Sequence, residues 1–179
     1  MEVWDVYSGN SGKLKNWSLS LARAASALNV TSVPVDANAT QQPVPTASLV
    51  QPLLAEAIAH WQTAGADVSS LASLDLRISD LGGTTLGLAS GNTIWLDDNA
   101  AGWGWFLDTT PWDDFEFNTP GNQGELNRID LLTVLIHELG HVLGRDHDEK
   151  GVMAEEIAAG TRSVELEQVH VAATDLAFG

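Results

Sequence analysis

Three of the five histidines fall between positions 137 and 147, in the run His137-Glu138-Leu139-Gly140-His141-Val142-Leu143-Gly144-Arg145-Asp146-His147. Side chains four apart on a helix project from one face, so the imidazoles of His137 and His141 can reach the same metal ion. Glu138 stands beside them without being a ligand. It is placed to take a proton from a metal-bound water and to pass it to a leaving amine. Gly144 permits a sharp turn where the helix must stop, and the chain can then fold back to bring in His147 as a third ligand. Three nitrogens with one open position make a catalytic zinc site rather than a structural one, and bound zinc lowers the pKa of its water to about 7. Two histidines four apart arise readily by chance. Their combination with Glu138, Gly144 and His147 in one helix-and-turn context is far more specific.

The elements that must carry these residues can be read from periodicity. Glu125–Leu143 is the strongest helix in the chain, with Leu126, Ile129, Leu132, Leu135, Ile136, Leu139, Val142 and Leu143 on a wide apolar face. A second amphipathic helix is expected over 47–64, with Leu49, Leu53, Leu54, Ala57, Ile58 and Trp61 on one stripe and Gly65 at its end. Between the helices, Leu74–Ser79, Thr85–Ala89 and Thr93–Asp97 read as short strands separated by Gly82-Gly83 and Ser90-Gly91-Asn92. Residues 99–124 read as a long irregular connection, and Val164–Leu176 as a last helix. Residues 1–21 are strand-like. The Ala-, Thr- and Pro-rich stretch 22–46 reads as a linker, with a helical turn around Leu21–Leu28. The order implies an α+β domain over 47–179.

Composition narrows the function classes. The 179 residues carry 24 acidic against 8 basic side chains, a formal net charge of -16, which excludes a nucleic-acid backbone binder. Cysteine is absent, so there is no disulfide, no thiolate zinc site and no cysteine nucleophile. No run of 18 apolar residues is present, so no membrane insertion is expected. Asp97, Asp98, Asp108, Asp113, Asp114 and Glu116 could bind calcium and stiffen the long loop, although no EF-hand spacing is present and a solvated acidic face is the simpler alternative. Trp103, Trp105 and Trp112 are expected in the core or anchoring the loop. His60 and His170 have no ligand partner nearby in sequence.

The run from His137 to His147 resembles the metzincin zinc metalloproteases, and Gly151-Val152-Met153-Ala154 resembles their Met-turn, with Met153 beneath the metal. Within metzincins the chain is most similar to matrixin-like catalytic domains of large bacterial surface and secreted proteins, over roughly Leu49 to Leu176. The resemblance implies a twisted mixed β-sheet with an active-site helix, a backing helix, and a C-terminal helix after the Met-turn. It implies a zinc endopeptidase acting on peptide or protein substrates, with a catalytically inactive zinc-binding module as the alternative. By the same similarity, Gly91-Asn92-Thr93-Ile94-Trp95-Leu96-Asp97 is the edge strand above the cleft, where a peptide would add alongside Asn92, Thr93, Ile94 and Trp95. Separately, the stretch from Val3 to Leu21, with Gly9, Gly12, Leu14, Trp17 and Leu19, resembles the end of a proprotein-convertase P domain. That implies a longer multidomain chain, secreted or on the cell surface, with its signal peptide upstream.

Overall fold

The computed structural model describes residues 25–32, 34, 44–118 and 124–166. Val50, Leu53, Leu54, Ala57 and Trp61 recur at helical spacing and form the buried stripe of α1 (Ala47–Thr63). Leu49, expected on that stripe, is exposed, and Val50 takes the inward position. The helix stops where Gly65 adopts φ 87° and Ala66 N–H returns to the carbonyl of Trp61.

The three expected strands are present as β2 (Asp75–Ser79), β3 (Thr85–Ser90) and β4 (Thr93–Asp97). The stretch 22–46 differs from its reading as a linker. Ser26–Val30 form a strand, β1, with Leu28 and Val30 buried, so no helical turn runs through Leu28. A two-residue strand beyond Met153, β7 (Glu156–Ile157), completes a five-stranded mixed sheet in the order β2-β4-β3-β1-β7. β4 runs parallel to β2 and antiparallel to β3, and β1 runs antiparallel to β3 and parallel to β7.

This order corrects the expected substrate edge. β4, with Thr93, Ile94 and Trp95, is hydrogen-bonded on both sides and offers no free edge to a peptide. Asn92, just before it, bonds through its side chain to Ser73. Alternation in a sequence gives the faces of a strand. Its neighbours are chosen by long-range pairing, which alternation does not encode.

The strong helix is shorter than its periodicity. α3 covers Leu131–Val142, and its start is set by Asp130, whose carboxylate accepts the N–H and the hydroxyl of Thr133 at 3.1 and 2.7 Å. Before it, Asn127 has φ 59°, and Ile129–Asp130 form a short strand, β6, parallel to β5 (Trp105–Phe106). The connection between β4 and β6 therefore contains β5 and a single helical turn, α2 (Phe115–Asn118). α3 packs between α1 and the sheet, and every residue from Leu131 to His141 is buried. Val164–Leu166 are not helical, and the rest of the expected final helix lies outside the described residues, as do residues 1–21 and His170. No helix among the described residues is long and apolar enough to cross a membrane.

Candidate metal centre

α3 places His137 and His141 one turn apart, and the chain then reverses at Gly144, where φ is 90°. Arg145 N–H donates to the carbonyl of Gly140 at 2.8 Å and closes that turn. The reversal brings His147 back, so that ligand atoms of His137, His141 and His147 all lie within 4.8 Å of one another. Among the described residues this is the only group of three metal-ligating side chains so close together.

The donor set fits a cation. Nδ1 of His137 lies 2.7 Å from the carbonyl of Val152, and Nδ1 of His141 lies 2.9 Å from that of Arg145. A carbonyl only accepts, so both rings carry their proton on Nδ1 and leave Nε2 as a bare lone pair. Those Nε2 atoms are 2.9 Å apart, and that of His147 is 3.1 Å from that of His141. Converging lone pairs repel unless a positive ion lies between them. Nitrogens about 2.0–2.1 Å from a tetrahedral zinc stand roughly 3.3 Å apart, close to this spacing. Burial drives His137 down to about 3, and the two neighbouring imidazoles add to the effect against the opposing Val152 carbonyl, so its ring stays neutral.

Met153 packs against the metal helix at Gly140. A Cβ built on Gly140 would stand 2.5 Å from the sulfur of Met153 and 2.8 Å from the ring of Trp61. Trp61 is held in turn by its indole N–H, which donates to the carbonyl of Ile136 at 2.9 Å. Gly140 is thus needed for space: α1, the metal helix and the turn at Met153 meet over its missing side chain.

Glu138 is fully buried beneath the sheet. One carboxylate oxygen accepts the N–H of Leu28 at 3.2 Å, and the other is buried with no partner. Burial pushes Glu138 up to about 8, against the backbone N–H groups of Leu28 and Ala89, which pull it down. Gly87 makes room for it, since a Cβ there would lie 2.6 Å from the carboxylate oxygen. Gly87 lies within the expected strand Thr85–Ala89, but the sequence contains no signal for this contact, which joins residues 51 positions apart.

A second cluster escaped sequence reading altogether. The side chain of Arg162 is buried and pairs with Asp108 at 2.7 Å, Asp130 at 3.0 Å and Asp114 at 3.2 Å, with its guanidinium 4.4 Å from the centre of the Phe117 ring. Burial opposes its charge, but Asp130 and Asp108 outweigh that and raise its pKa. Asp97 is likewise occupied, accepting the N–H groups of Leu81, Asn99 and Ala101. Three of the carboxylates considered for calcium, Asp97, Asp108 and Asp114, therefore fold the loop through protein partners. Trp105 is buried and Trp103 bonds to the carbonyl of Ser32, whereas Trp112 is exposed. His60 lies 3.8 Å from Glu56, remote from the cluster in sequence and on another helix.

Comparison with curated proteins and with solved structures returned no match. The family model described as Peptidase_M10, Matrixin, matches residues 46–179, which include all three histidines, Glu138 and Met153. That match covers most of the chain, and with a three-histidine group on a helix and turn in an α+β fold, this protein belongs to the matrixin family of metallopeptidases.

Proposed function

We propose that the chain is a zinc-dependent endopeptidase in which Glu138 handles the proton. The observation that carries this reading is a buried carboxylate next in sequence to His137, with one oxygen unpartnered. Zinc held by His137, His141 and His147 would supply a Lewis acid that activates water and polarises the scissile carbonyl. Glu138 takes the proton released by that water and returns it to the amine that leaves. Burial favours the protonated form of Glu138, and the charge of a bound cation would favour the carboxylate that takes the proton. The substrate backbone adds as a strand between β3 and β7, in the place that β1 holds in this structure.

The test replaces one carboxylate. In Glu138→Ala the protein keeps its zinc by metal analysis while cleavage of an unfolded protein such as casein falls by about 10²–10⁴-fold. Persistent hydrolysis in that variant would remove Glu138 from the mechanism. A wild-type chain that binds zinc and cuts nothing would be a binding module instead. Secretion or surface display as part of a longer chain belongs to the same proposal and is supported by the resemblance of residues 3–21.

A further inference from the structure

β1 is not an ordinary strand of this sheet. The family match begins at residue 46, so Ser26–Val30 lie outside it, yet they occupy the groove above the metal helix. Their amides alternate between the two walls of that groove. Asn29 N–H donates to the carbonyl of Glu155 at 3.0 Å, Val30 to Thr84 at 2.9 Å, and Thr31 to Ile157 at 3.1 Å. Pairing is antiparallel to β3 and parallel to β7, as for an extended peptide laid between the two. The register slips between Leu28 and Asn29, and at that slip the N–H of Leu28 turns out of the ladder and onto Glu138.

That contact has a specific chemical meaning. In peptide hydrolysis the nitrogen that leaves is the amide nitrogen following the scissile carbonyl, and its proton donor must stand within about 2.6–3.2 Å. From β1, the nitrogen of Leu28 donates to the Glu138 carboxylate at 3.2 Å. The bond so presented joins Ala27 to Leu28. With Leu28 and Val30 packed into the core, Glu138 and His137 have no exposed surface, so no second peptide can enter while β1 is in place.

We propose that residues 26–31 are the enzyme's own first substrate, held in the cleft in the direction of a peptide substrate and cut in cis between Ala27 and Leu28. Water adds across that bond: the hydroxyl joins the carbonyl carbon of Ala27, Glu138 delivers the proton to the nitrogen of Leu28, and the C–N bond breaks. The products are a carboxylate at Ala27 and an amine at Leu28. Release of the upstream piece, followed by the strand itself, opens the cleft to other polypeptides. The inference rests on the endopeptidase reading.

The experiment uses the full chain, purified without metal and then given zinc, with casein added in parallel. Mass spectrometry and N-terminal sequencing are expected to find a new terminus at Leu28, appearing at a rate independent of protein concentration, with casein cleavage following after a lag. Hydrogen exchange on the metal-free chain supplies a readout that does not need activity: the amides of Asn29, Val30 and Thr31 are expected to be protected. Leu28→Asp, which places a charge in a buried strand position, is expected to abolish the lag and the cut together. Casein cleavage with the Ala27–Leu28 bond intact, or with the first cut elsewhere, overturns the self-substrate and leaves the endopeptidase reading standing. Failure to cut either overturns both, and rapid exchange at Asn29–Thr31 overturns the occupancy of the cleft whatever the activity.

Discussion

Two glycines near the centre bear more weight than their size implies. At Gly140 an added methyl group collides with Met153 and Trp61, both part of the buried core. Replacing glycine by alanine inside a helix gains up to about 1 kcal/mol in propensity, while overpacking costs typically 1–3 kcal/mol. Gly140→Ala is therefore expected to lose about 1–2 kcal/mol in urea denaturation despite its better helix former. Gly87→Ala meets the Glu138 carboxylate itself. It is expected to lower kcat by roughly 10²-fold, the usual consequence of displacing a reacting group by about 1 Å, with zinc content unchanged by metal analysis. A wild-type kcat in Gly87→Ala would mean that the carboxylate relaxes without consequence.

Among the elements, the segment that follows Met153 is tied to the start of the metal helix by a buried cation. Arg162 joins Asp130 at the start of the metal helix to Asp108 in the acidic loop, all three side chains being almost fully shielded from solvent. Removing one member of a buried ionic cluster strands its partners, at a typical cost of 3–5 kcal/mol. Arg162→Ala is expected to show a loss of that order in chemical denaturation, and a loss below about 1 kcal/mol would mean that water screens the site. Legibility follows the same division between local and distant contacts. His137, His141, Gly144 and His147 could be read because helix geometry and one turn bring them together within eleven positions. β2, β3 and β4 announced themselves by composition and intervening glycines. The position of β4 inside the sheet, the strand at Ser26–Val30 and the Arg162 cluster could not be read, because each depends on partners between roughly 20 and 130 residues away. Prolines at 34, 43 and 45 made the stretch around β1 look like a tether, and nothing local could overrule them.

For the molecule as a whole, the charge of -16 sets how it meets its substrates. Beside His147 a cavity of about 690 Å³ is lined by Asp148, Glu149, Glu155 and Glu156 together with Thr31 and Ala154. A field of one sign in a cleft attracts the opposite charge, and salt screens it. Cleavage of a lysine-rich peptide is expected to lose about tenfold in kcat/KM between about 20 mM and 500 mM salt, while an acidic peptide gains. Equal salt responses would show that the field does not reach the reacting bond. The grip on the metal is also uneven across the fold. His137 and His141 sit in a helix buried at every position from Leu131 to His141, the kind of unit that opens last. His147 lies past Gly144 on a stretch where Asp146, Asp148 and Glu149 are exposed. A chelator is therefore expected to strip a bound ion by way of residues 144–150, with the helix keeping two ligands in place while His147 lets go, and slower metal loss in a variant that stiffens this stretch would check it.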